Sequence, residues 1–110
     1  MPRRPDLDMN ILYDFGGPPP HEYCYLIEDE DGFIKIGVSK NPTERYFQLS
    51  KYTSKQLIFI GAFKLNSLLA HALERFLHHR YANHADNRQE WFSLDSQFII
   101  DDILGHITKQ

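Results

Sequence analysis

Tyr23-Cys24-Tyr25-Leu26-Ile27, then Glu28-Asp29-Glu30-Asp31-Gly32, then Phe33-Ile34-Lys35-Ile36-Gly37-Val38 is the stretch from which the fold is read. The first five residues are strand formers. The acidic run ends in a glycine that can supply a positive φ, and the last six residues alternate between apolar and polar. Two such strands around such a turn predict a β-hairpin. A helix start follows at once: Asn41 can cap, Pro42 suits the first helical position, and Glu44 sits where a capping box places its acid. That helix is expected to reach about Tyr52 and to turn Tyr46, Phe47 and Leu49 inward.

Working outward, Gln56–Phe63 reads as a third strand, more continuously apolar and therefore more central. Asn66 or Ser67 caps a longer helix, expected to run to about Ala82, with Leu69, Ala72, Leu73, Phe76 and Leu77 as its core stripe. A polar loop over 83–89 leads to a short strand in Glu90–Leu94. Asp95 or Ser96 then caps a last helix carrying Phe98, Ile99, Ile103, Leu104 and Ile107. Residues 1–22 read as a Pro/Gly-rich tail, with Pro18-Pro19-Pro20 favouring an extended polyproline conformation. Ile11, Leu12, Tyr13 and Phe15 form a short apolar patch there, able to dock on the core or on a partner. The order is β-β-α-β-α-β-α over a single domain, 23–110. It describes a small α/β sandwich whose central three-stranded, mostly antiparallel sheet is flanked by helices.

The chain has 110 residues, which fits one domain. Its single cysteine, Cys24, excludes an internal disulfide and a four-cysteine zinc site. No apolar run reaches the ~20 residues of a membrane span, and the polar start does not read as a signal peptide. The expected location is the cytoplasm. The formal charge of -3 is unevenly spread. Residues 1–34 hold two basic residues and eight acids; residues 35–88 hold nine basic residues and three acids; residues 89–110 hold one and four. A basic middle is bracketed by acidic ends, so the net charge does not exclude nucleic acid. The acidic N-terminal segment is placed to cover that basic block.

Chemistry-bearing residues gather in and beside the basic block. His71, Glu74, His78 and Tyr81 are spaced three, four and three, on one helix face. A carboxylate there can bind Mg²⁺ or Mn²⁺, and histidines suit Zn²⁺, but the spacing matches no zinc motif. The same pattern also fits an ordinary solvated face. On the hairpin, Tyr25 and Lys35 are expected to face each other, as packing or as a phenol and an amine brought towards neutrality by a nearby cation. Gly37 would admit a ligand's backbone, and Arg45 can reach back over the hairpin with a fork suited to phosphate.

Taken together these residues resemble the GIY-YIG nuclease superfamily. The first motif corresponds to Cys24-Tyr25-Leu26 and the second to Lys35-Ile36-Gly37. Arg45 stands eight residues past that glycine, Glu74 lies in the later helix, and the closing Glu90-Trp91-Phe92 resembles a small branch common in phages. The resemblance spans about residues 23–94. It implies hydrolysis of DNA phosphodiesters with Mg²⁺ or Mn²⁺. Glu74 would hold the metal, Tyr25 would activate or position the water, and Arg45 would stabilise the transition state. Lys35 replaces the second motif's tyrosine and could itself serve as a base. His71 and His78 are possible supporting residues. Lys40, Lys51, Lys55, Arg75 and Arg88 are candidates for phosphate contacts. The late asparagine of many members has no match here. The expectation is a metal-dependent DNA endonuclease, in the host cytoplasm if phage-encoded, with a homodimer or protein partner supplying specificity. The alternatives are a decayed member of the fold that binds nucleic acid or protein, and an unrelated interaction domain docking through its aromatic N-terminal segment.

Overall fold

The computed structural model describes residues 10–86 and 90–108. The elements are β1 (Ile11–Asp14), β2 (His21–Asp29), β3 (Ile34–Ser39), α1 (Pro42–Lys51), β4 (Leu57–Asn66), α2 (Ser67–Arg80), a single 3-10 turn (Ala82–His84), β5 (Trp91–Phe92) and α3 (Ser96–Thr108). The expected helix starts are realised by the expected atoms. The Asn41 side chain accepts from the Glu44 N–H at 3.1 Å, the Asn66 side chain from Leu68 at 3.0 Å, and Asp95 from Gln97 at 2.7 Å. The hairpin turns where the acidic run ends, at Gly32 with φ 87°.

The sheet differs from expectation: it has five strands, ordered β1-β4-β2-β3-β5. β1 runs parallel to β4, and every other pair is antiparallel. The extra edge strand comes from the segment read as a tail. Its apolar patch docks on the core side of the chain, where Leu12 and Phe15 pack against the main cluster. Gly61 allows this approach, because a side chain there would collide with Leu12 Cγ at 2.6 Å and the Asn10 carbonyl at 2.9 Å. Residues 18–20 form a bend with a cis Pro19–Pro20 bond instead of an extended polyproline stretch.

Strand alternation splits the hydrophobic residues between two faces. Cys24, Leu26, Ile34, Ile36, Phe63 and Leu65 face α2 and α3, meeting Ala70, Leu73, Leu77, Tyr81, Ile99 and Ile103. Tyr25, Ile27, Ala62 and Trp91 face the other way, against Tyr46 and Leu49 of α1. The buried stripe of α2 is therefore rotated from the expected one. Ala70 is in the core, while Leu69 and Ala72 are exposed. They border, with Phe76, His106 and Ile107, a groove of about 330 Å³ between α2 and α3. Phe98, also expected inside, is 52% exposed. No helix among the described residues is long and apolar enough to cross a membrane.

Candidate active site

The register of the hairpin corrects the expected Tyr25–Lys35 pairing. Tyr25 is opposite Gly37, and Lys35 is opposite Ile27. Tyr25 and Lys35 therefore share a sheet face but are offset by one pair along it. Tyr25 is only 2% exposed, and its phenol fills the space over Gly37. That glycine accommodates the ring of its own cross-strand partner, not the backbone of a ligand. Burial pushes the phenol up to about 12; Arg45 opposes the rise, while Glu74 and Glu90 add to it. The expected drop towards neutrality is not found, since one exposed guanidinium does not outweigh the desolvation of a buried phenol.

Those same interactions tie Tyr25 to two of the other expected site residues. Arg45, in the first turn of α1, and Glu74, in the middle of α2, act on one phenol from two different helices. Arg45 is exposed, and among the described residues neither its guanidinium nor the Glu74 carboxylate has a hydrogen bond or ion pair with another side chain. Glu74 also raises the neighbouring Cys24 thiol, which burial has already pushed far up, so this cysteine is no nucleophile.

Lys35 is 7% exposed, and its ammonium donates to Glu90 Oε2 at 2.8 Å. It also lies 6.0 Å from the centre of the Trp91 ring. The β3–β5 pairing, which sets Lys35 against Trp91, brings Glu90 to it. The Lys35 hydrogen bond, reinforced by His78 and Arg45, holds the Glu90 carboxyl below its usual range. Glu90 was legible in the sequence only as part of the Glu-Trp-Phe segment. Its place in the site depends on a pairing 55 residues apart.

The two histidines do not flank Glu74 as a ligand set. His78 Nε2 donates to the Ile36 carbonyl at 2.7 Å, which places a proton on that nitrogen, and its ring sits edge-on to Phe92. His71 pairs with Glu22 at 3.3 Å, and the Ser67 hydroxyl donates to the same carboxylate at 2.5 Å. Ser67 and then His71 hold Glu22 below the usual range. Tyr81 turns into the core and donates to Asp102, which Arg80 also binds at 2.7 and 3.0 Å. No group of three histidine, cysteine, aspartate or glutamate side chains that could hold a metal occurs among the described residues. Among the described residues the Glu74 carboxylate is then the candidate donor, and a lone carboxylate suits a hard cation that keeps its waters and takes further oxygens from a phosphate. It does not suit zinc.

Of the expected phosphate contacts, Lys40, Lys51 and Arg75 are exposed. Lys55 is drawn to the acidic turn of the hairpin, 2.6 Å from Asp31 and 3.9 Å from Asp29. Arg88 lies outside the described residues. Among the described acids of the N-terminal third, Glu22 is engaged by His71 and Asp31 by Lys55; Asp6 and Asp8, part of the expected acidic cover, lie outside the described residues. A family model described as the T5orf172 domain matches residues 22–107. That domain is phage-associated and related to nuclease folds. No curated protein and no solved structure matches the chain.

Proposed function

The chain belongs to the T5orf172 domain family, and from that premise we propose that it is a divalent-metal-dependent DNA endonuclease of the GIY-YIG kind. What supports this reading is that Arg45 and Glu74, both without side-chain partners among the described residues, each act electrostatically on the Tyr25 phenol seated over Gly37.

Glu74 is the residue that would hold Mg²⁺ or Mn²⁺, with the remaining positions left to water and phosphate oxygens. The bound ion would neutralise charge building on the phosphate and the leaving oxygen. Arg45 presents a planar fork to the non-bridging oxygens, on which negative charge grows in the transition state. Tyr25, protonated at neutral pH, orients the attacking water through its hydroxyl. Lys40, Lys51 and Arg75 contribute affinity through the phosphate backbone.

Plasmid nicking with Mg²⁺ or Mn²⁺ tests the reading. Cleavage should fall by about two orders of magnitude or more in Glu74→Ala, roughly the cost of losing one transition-state group. Cleavage indifferent to that change would overturn the assignment. A second reading, a DNA-binding module without cleavage, draws support from Lys35 standing where the second motif has a tyrosine and being tied to Glu90. It predicts salt-sensitive binding with no nicking under either metal.

A further inference from the structure

We infer that Glu90 is a positioning residue that holds Lys35 as a fixed cation beside the scissile phosphate, so that Lys35 acts there as a charge and not as the base. This rests on the endonuclease reading above and assigns a role within the same site.

The geometry is that of a strut. Lys35 rises from near the start of β3 on the Tyr25 face, and its stem is buried. Only the ammonium reaches a partner, and that partner is a carboxylate 59% exposed to solvent. A flexible four-carbon chain is thereby given one direction. The groups that act on Glu90 come from every element around it: Lys35 from β3, His78 from α2, Arg45 from α1 and Tyr25 from β2. Three of these are basic, so the carboxylate remains an anion through the neutral range. The ammonium donates to this carboxylate at 2.8 Å, and an ammonium has no lone pair with which to accept a proton from water. Its donors remain available: an ammonium has three, and one is committed to Glu90.

The two roles for Lys35 predict opposite effects of removing the carboxylate. For a fixed cation, Glu90→Gln loosens the strut and removes an anion from a surface that DNA approaches. The expected result is a kcat lowered roughly ten- to a hundredfold, about the worth of one hydrogen bond to a charged group. KM should be unchanged or lower, and Glu90→Asp should recover part of the loss. Lys35→Arg should keep cleavage within about tenfold of wild type, while Lys35→Met should not. If instead Lys35 were the base, Glu90→Gln would raise cleavage at neutral pH and Lys35→Arg would be as inactive as Lys35→Met; either outcome overturns the inference. Binding of a labelled duplex at low salt, read without cleavage, separates this from failure of the nuclease reading. If wild type does not nick, affinity kept by Lys35→Arg and lost by Lys35→Met still supports the fixed cation. Equal affinity in all three proteins overturns it.

Discussion

The Tyr25 phenol occupies the volume that a side chain at residue 37 would need: the two residues are direct cross-strand partners, and a methyl on Gly37 would overlap the phenol oxygen and Cζ. Gly37→Ala must therefore displace the ring. Overpacking at a buried site costs about 1–3 kcal/mol. Denaturant unfolding should show a loss in that range, and nicking should fall further than stability, because the displaced group is the one proposed to orient water. Tyr25→Phe is the companion measurement. It keeps the ring and the packing, removes only the hydroxyl, and should lower nicking about a hundredfold with a midpoint of unfolding close to wild type.

Arg45 stands apart from that packing. It is exposed, and its guanidinium has no hydrogen bond or ion pair with another side chain among the described residues. Arg45→Ala should unfold like wild type and yet cleave at least about a hundredfold more slowly. Arg45→Lys should recover little, since a point charge does not reproduce a two-pronged hydrogen-bond donor. Full activity in Arg45→Lys would show that charge alone is used.

These residues illustrate what a single sequence could and could not reveal. Caps and turns were legible because they are local: Asn41, Asn66, Asp95 and Gly32 act on residues within a few positions of themselves. The order of elements from β2 onward followed from them. Tyr25, Lys35, Arg45 and Glu74 could be picked out by residue type and spacing. Their relationship could not, because register is a property of two strands together. A hairpin read as symmetric about its turn set Tyr25 against Lys35, whereas the ladder sets it against Gly37. Three further features depended on contacts between distant segments. β1 needs the gap at Gly61 to dock, Glu90 needs β5 to pair with β3, and the rotated face of α2 carries Tyr81 inward to Asp102.

The Tyr81–Asp102–Arg80 cluster fastens α2 to α3 away from the proposed chemistry. Asp102→Ala would leave the Tyr81 hydroxyl without its acceptor and Arg80 without its bidentate partner. A buried polar group left unpaired costs about 1–3 kcal/mol, and the loss of stability should fall there. Cleavage per folded molecule should not change, which places this cluster in the scaffold.

Glu22 gives the acid limb of stability. Its carboxyl is held below the usual range by Ser67 and then His71. A depressed folded-state value means the contribution is fully present above the unfolded value of 4.5 and is lost as the pH falls through the lower folded one. Glu22→Gln should therefore flatten the fall in thermal stability below about pH 4.5. At neutral pH it should be less stable than wild type, because the charge-assisted bonds to Ser67 and His71 are weakened. An unchanged acid limb would assign that loss to other carboxylates.

Lys40 and Lys55 offer the sharpest contrast between charge in the sequence and charge available on the surface. Both belong to the basic middle of the chain. Lys55 is held by Asp31 at 2.6 Å and Asp29 at 3.9 Å beside the hairpin turn, so its charge is largely neutralised where it stands. Lys40 is exposed just past the end of β3, at the entrance to α1. Each phosphate neutralised by a protein cation adds about 0.9 to the slope of log affinity against log salt. Lys40→Gln should therefore lower that slope by about 1 and weaken binding uniformly across sequences. Lys55→Gln should leave the slope unchanged and act instead on stability, by removing the cation that pairs with Asp31 and Asp29 at the turn. Titrating a labelled duplex at several salt concentrations reads both. A fall of about 1 in the slope for Lys55→Gln would mean that DNA pulls the lysine off the turn, and that the acidic hairpin opens as the duplex binds.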